Sequence, residues 1–200
     1  LHIKENGCHH TTRYHYPGPS HLCIGQEAAV VGQAFCLSPE DMIFGSHRNH
    51  GDVLAKGLSA IRKIDEQTLC RIMEEFDGGN LLRVIETHFP ADQIQETARR
   101  FLAYGLTSEI FGKGTGFNKG LGGSMHVFFP AFGSYPNNAI VGGSATIGAG
   151  AALYKKINKK DGIVAVNIGD GALGRGPVWE AMIFSAMEQY TALWDEEFHG

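Results

Sequence analysis

Gly162-Ile163-Val164-Ala165-Val166-Asn167-Ile168-Gly169-Asp170-Gly171 runs on through Ala172-Leu173-Gly174-Arg175 to Gly176-Pro177 and a stretch of good helix formers ending near Met187. Five of the six residues 163–168 are apolar, which predicts a short, fully buried strand of a parallel sheet. Gly169 ends that strand, and a second glycine at 171 gives access to backbone conformations closed to other residues. Gly176-Pro177 supplies a helix start with proline in the first turn, and residues 178–187 continue the helix. A strand, a glycine turn and a helix N-terminus in that order suit a phosphorylated ligand and predict an α/β fold.

The same turn matches G-x-G-x-x-G through Gly169, Gly171 and Gly174. As a dinucleotide fingerprint it fits poorly, because the Asp170 carboxylate between the first two glycines repels a bare pyrophosphate. A divalent cation reverses that sign. Mg²⁺ is held by one or two protein oxygens together with substrate phosphates, so Asp170 suits a metal–diphosphate site. A tight strand–helix turn whose aspartate merely caps the helix is the other reading of these residues.

Outward from this stretch, 200 residues allow one sizeable domain with its own core. A composition 43% hydrophobic and 19% charged is that of an ordinary globular protein, and a net charge of −4 gives no general attraction to nucleic acid. No apolar run approaches a membrane span, and no signal peptide or lipidation pattern is visible. The four cysteines (Cys8, Cys23, Cys36, Cys70) have no zinc-type spacing and form no C-x-x-C pair. Cys23 and Cys36 read as small core residues, and a reducing, cytoplasmic setting is expected. A first residue other than methionine suggests a piece of a longer protein, in which case a mitochondrial transit peptide is one thing that cropping removes.

Residues 1–20 read as an irregular N-terminal segment, rich in histidine at spacings that fit no standard ligand set. A helix is predicted over residues 25–37 with Ala28, Val31 and Phe35 on its inward face, followed by a strand over 42–44. Residues 45–52 form a polar loop carrying His47, Arg48 and His50, and helix resumes over 53–57. Residues 58–111 show helical rhythm, broken at Asp77-Gly78-Gly79-Asn80 and at Pro90, and read as a helical insertion or partner-facing subdomain. The glycine-rich stretch 111–123, with Lys113 and Lys119, is either a phosphate cradle or a surface loop. Residues 142–153 form a small-residue helix, and the lysines of 155–160 read as its exposed end.

Several stretches now stand together: Gly25-Gln26-Glu27-Ala28 in 22–28, then 47–51, 112–116, 122–126, 139–143, and 169–172 with Glu180-Ala181. They occur in this order in thiamine-diphosphate-dependent 2-oxo acid dehydrogenases. The chain resembles the alpha subunit, or the alpha-like part of a fused chain, of the decarboxylating component (the pyruvate, branched-chain and acetoin dehydrogenase family). The resemblance covers most of residues 20–190 outside the 58–111 segment.

The resemblance implies a three-layer, parallel-sheet thiamine-diphosphate-binding fold over residues 21–200, with the helical insertion at about 60–110. It implies Mg²⁺ and thiamine diphosphate as cofactors, Asp170 as a metal ligand, and Gly171 and Ala172 beside the diphosphate. It places His47 and Arg48 on the cofactor, Ala139 and Val141 at the aminopyrimidine, His50 near the active-site mouth, His21 in the substrate cavity and His126 close to the cofactor. The implied reaction is oxidative decarboxylation of a 2-oxo acid with acyl transfer to a lipoyl group. It calls for a beta subunit or fused beta-like region, the lipoyl domain of an acyltransferase, and a homo- or hetero-oligomer, with no nucleic acid or membrane. The activating glutamate of the family lies in the beta part, which excludes Glu27 and Glu180 from that role.

The sequence departs from the family at defined points. His47 stands where many members carry tyrosine, although acetoin-cleaving relatives also have histidine there. Leu173-Gly174-Arg175 replaces a more polar stretch, and the helix after Gly143 lacks the usual prolines. The asparagine that supplies the second metal ligand falls about thirty residues after the aspartate, where this chain has Phe198, His199 and Gly200, so it is expected beyond residue 200. Acetoin cleavage, a non-catalytic alpha-like regulatory or scaffolding role, and plain dinucleotide binding are the competing readings. For His2, His9, His10, His15, His88 and His199 a surface or structural role is expected.

Overall fold

The computed structural model describes residues 20–191. The expected irregular segment before Ser20, Cys8 and the positions 198–200 lie outside them. Three short strands, β1 (Met42–Phe44), β2 (Ser134–Tyr135) and β3 (Val164–Val166), form a parallel sheet in the order β2-β1-β3. Phe44 pairs with Tyr135 on one side and with Val166 on the other. Backbone bonds from Met42 to Ile163 (3.0 Å) and from Asn167 to Phe44 (2.8 Å) extend the β1–β3 ladder by one residue at each end.

The predicted strand is therefore present, but it is half-buried rather than fully buried, and Ile163 is 62% exposed. Among the described residues, β3 has β1 on one side only and a single helix on one face. That helix, α6 (Gly143–Ile157), crosses so closely that a Cβ at Gly148 would lie 2.2 Å from Val166 Cγ2, a separation only glycine permits.

Between β1 and β2 come four helices: α2 (His50–Lys63), α3 (Glu66–Glu75), α4 (Asn80–His88) and α5 (Ile94–Ile110). The helix after β1 thus begins at His50, three residues earlier than expected. Asp65 caps α3 by accepting the Thr68 amide at 2.9 Å. Left-handed backbone at Asp77, Gly78 and Gly79 separates α3 from α4, as the sequence pattern requires.

These helices carry most of the hydrophobic core. Leu69, Met73, Leu81, Ile85, Phe101 and Leu102 are almost completely buried, together with Phe129 and Phe132 from the chain leading into β2. Phe117 and Phe129 stack at 4.4 Å, with Phe76 edge-on to both. Each buried phenylalanine contributes about 2 kcal/mol by area alone. No helix among the described residues is long and apolar enough to cross a membrane.

Three local expectations are corrected. Helix α1 (Glu27–Cys36) buries Ala34, and leaves Val31 and Phe35 58% and 74% exposed. It is apolar nearly all round, so periodicity could not choose the face on which α2 packs. Cys36 is exposed, and Cys23 and Cys70 are half-buried. Lys155 is buried, its ammonium donating to the carbonyls of Glu40 (2.7 Å) and Asp161. A long side chain at a helix end can reach back to backbone acceptors, as Lys56 does to Ser38 O at 2.8 Å.

Candidate functional site

Because the three strands are parallel, the chain leaves them at one edge of the sheet, through residues 45–49 after β1, 136–142 after β2 and 167–175 after β3. Ligands of open parallel sheets bind outside this carboxyl edge. The three loops are tied together. Asn137 Nδ2 donates to Ser46 O at 2.6 Å, Gly142 packs against Arg175, and Asn167 Nδ2 donates to Asp52 Oδ1 at 2.8 Å.

The β1 loop carries His47, exposed, and Arg48, whose guanidinium donates to Leu22 O. The rings of His47 and His21 meet edge to face with centroids 5.1 Å apart. Burial, followed by the charges of Arg48 and His21, lowers the His47 pKa from its usual range.

His50 opens α2 with both ring nitrogens engaged. Nε2 accepts the Cys23 amide (3.2 Å), which requires Nδ1 to carry the proton and donate to Ser124 O (3.0 Å). Burial pushes its pKa down. A ring fixed by two backbone partners positions the segments it joins, and those segments carry His21 and His126.

His126 is held differently. Its Nδ1 donates to Asn137 Oδ1 at 2.8 Å, the direction being set by Asn137 Nδ2, which donates to Met125 O and Ser46 O. Nε2 has no partner among the described residues. Ala139 and Val141 follow on the same loop, both exposed, just before α6.

Asp170 starts a single 3-10 turn, Asp170–Ala172, that precedes α7 (Gly176–Ser185). Its carboxylate caps nothing, which removes the helix-capping reading, and it has no partner among the described residues. Among the described residues the glycines here have no steric cause. Gly171 does not use left-handed backbone, contrary to expectation, and a Cβ at 169, 171 or 174 would meet no atom within 4 Å. An uncommitted carboxylate beside an open backbone fits a divalent cation carrying a diphosphate.

The 111–123 loop is no phosphate cradle. Its amides converge on Glu109, wholly buried in α5, which accepts from Asn118 (2.7 Å), Gly120 (2.8 Å), Gly122 (2.6 Å) and Gly123 (3.3 Å). The anion site these glycines build is filled by the chain's own carboxylate, and Lys119 pairs with Asp77 at 2.5 Å. Glu109, Asn137 and Asn167 are the residues that sequence reasoning missed. The only local sign was a polar residue at an otherwise apolar strand position, at 167. A cavity of about 680 Å³ lies elsewhere, between Met42, Phe44, Tyr135 and Tyr154, and none of the histidines or Asp170 lines it.

Comparison with known proteins points the same way. The family described as "Dehydrogenase E1 component" matches residues 8–87 and 97–194, including most of the 58–111 segment. The chain is 32% identical over 170 residues to the somatic-form mitochondrial pyruvate dehydrogenase E1 component subunit alpha of Sus scrofa, covering 85% of this chain and 32% of that protein. It is 30% identical over 184 residues to the alpha subunit of acetoin:2,6-dichlorophenolindophenol oxidoreductase of Bacillus subtilis, covering 92% of this chain and 42% of that one. A pyruvate dehydrogenase E1 component subunit alpha of Rhizobium meliloti is 29% identical over 170 residues, or 85% of this chain and 36% of the relative. The chain thus spans between about a third and two-fifths of the length of these relatives.

Proposed function

The chain belongs to the dehydrogenase E1 component family, and from that premise we propose that it is the alpha part of a thiamine-diphosphate-dependent 2-oxo acid dehydrogenase, binding the Mg²⁺–diphosphate side of the cofactor. Residues 21–200 then belong to a three-layer thiamine-diphosphate-binding domain. The observation that carries the reading is the Asp170 turn, where among the described residues the carboxylate has no partner and the glycines no steric cause, at the sheet edge that also presents Arg48.

When bound, the cofactor supplies the electron sink for loss of CO₂ from a 2-oxo acid. The residues of this chain bind and orient. Asp170 would hold Mg²⁺, with Gly171 and Ala172 beside the diphosphate and Arg48 balancing its charge from the neighbouring loop. Ala139 and Val141 offer an apolar surface to the aminopyrimidine. His126 takes or holds a proton at Nε2, the ring atom that Asn137 does not engage, and His50 fixes the segments on which His21 and His126 stand. His21 lines the substrate side, and His47 stands beside Arg48 on the cofactor side. A beta subunit or beta-like region completes the site, the acyl group passes to a lipoyl domain, and the assembly is an oligomer.

Acetoin cleavage is the second reading, favoured by histidine at position 47 and by the Bacillus subtilis relative. Turnover of pyruvate, branched-chain 2-oxo acids and acetoin, each with a lipoyl or dye acceptor, separates the two. Release of CO₂ from a 2-oxo acid supports the first, and acetaldehyde from acetoin supports the second. No turnover of either by the complete assembly points to the non-catalytic role.

A further inference from the structure

One amide joins three of the elements that frame the site. Asn167 lies three residues before Asp170, and each proton of its Nδ2 has a separate acceptor: Asp52 Oδ1 at 2.8 Å and Gln33 Oε1 at 3.0 Å. Its backbone N–H donates to Phe44 O at 2.8 Å, the last residue of β1. Asp52 lies four residues after Arg48 in the first turn of α2, and Gln33 lies in α1, the helix that follows His21. Gly45, which opens the Arg48 loop, sits directly over this junction, and a Cβ there would lie 2.9 Å from Asp52 Oδ2.

Asp52 is 5% exposed, and among the described residues no cation pairs with it. Burial pushes its carboxyl up to about 6, with only the Asn167 bond acting in the opposite direction. A buried acid held by a neutral amide is a poor way to stabilise a core, since well-packed apolar side chains do that without the desolvation cost. Such groups are retained where they do something else.

We propose that Asp52, Asn167 and Gln33 form a clamp of positioning residues that sets the spacing between the Arg48 loop and the Asp170 turn, and so presets the site for a metal–diphosphate. The proposal rests on the functional reading above. Among the described residues no other side-chain hydrogen bond links α2, which continues the Arg48 loop, to the end of β3. Because Asn167 donates two bonds at once, loss of either acceptor leaves one of its protons unpaired and frees the β3 end to turn relative to α2.

The test is titration of the full-length protein, in its native assembly, with thiamine diphosphate and Mg²⁺. Asn167→Leu and Asp52→Ala are expected to weaken Kd tenfold or more. Asp52→Asn, which keeps an acceptor oxygen, is expected to stay within threefold of the unsubstituted protein. The Asp52→Ala/Asn167→Leu double variant should be no weaker than the weaker single one. Single variants that bind like the unsubstituted protein, or effects that multiply in the double variant, overturn the clamp. If Asn167→Leu fails to fold, Gln33→Leu reads the same junction from its half-buried end, with a weakening of threefold or more expected and an unchanged Kd counting against the clamp. An unsubstituted protein that binds no thiamine diphosphate removes the functional reading, and with it this one.

Discussion

His126 Nδ1 donates to Asn137 Oδ1 at 2.8 Å, tying the stretch that leads into β2 to the loop that leaves it at the carboxyl edge of the sheet. The bond fixes the tautomer and leaves Nε2 as the basic atom. Asn137→Leu removes that fixation together with the bonds to Ser46 and Met125. Turnover is expected to fall by about 10², the scale of a lost acid–base contribution. Steady-state kcat checks this, and a ¹⁵N spectrum of the His126 ring should show mixed tautomers in the variant and one in the parent.

Glu109 accepts four backbone amides with its two carboxylate oxygens. Glu109→Gln turns one acceptor oxygen into an NH₂ aimed at amide donors. It is expected to destabilise the fold by about 3 kcal/mol, read as a lower urea midpoint with an unchanged slope. The 111–123 loop should lose hydrogen-exchange protection before any other segment.

Asp52 gives a pH signature with a definite sign. Its folded pKa is raised to about 6 by burial, so the folded state holds the proton more tightly than the unfolded chain. Its contribution is fully present below about pH 4 and is lost as pH rises through about 6, at a cost on the order of 2–3 kcal/mol. Asp52→Asn should therefore melt higher than the parent at pH 7.5 and match it at pH 4. Melting curves that run parallel across that window contradict the assignment.

Two glycines of α6 should respond with opposite signs. Gly148→Ala places a Cβ 2.2 Å from Val166 Cγ2, whereas a Cβ at Gly150 meets nothing within 4 Å. Overpacking at 148 is expected to cost about 1–3 kcal/mol, while Gly150→Ala gains up to about 1 kcal/mol of helix propensity. Thermal melts of the two variants should move apart.

The strand, the acidic turn and the following helix were legible because their signals are local: an apolar run, a glycine break, and a proline in the first helical turn. Which face of α1 is buried was not, because Ala28, Val31 and Ala34 are equally apolar and only the packing of α2 decides. Glu109 was hidden for another reason. It reads as one more acid in an amphipathic helix, and its partners lie nine to fourteen residues downstream, in a loop whose glycines suggested an external anion. Lys155 misled through its length, since its stem hides an ammonium that caps carbonyls of β1's approach and of the turn into β3. His21 and His126 were singled out only through the family resemblance, whereas His50 also stood out in its polar loop after β1; the structure adds the partners of both His50 nitrogens and of His126 Nδ1.

If the Asp170 turn holds a metal-bridged thiamine diphosphate, both the metal and the Asp170 carboxylate are needed for the cofactor to bind. Calorimetry of the full-length protein with thiamine diphosphate, with and without Mg²⁺, tests it most directly. Binding is expected to require the metal and to weaken at least a hundredfold in Asp170→Ala, with the fold intact by thermal melt. Metal-independent binding of NADH, or unchanged thiamine diphosphate affinity in Asp170→Ala, would contradict it.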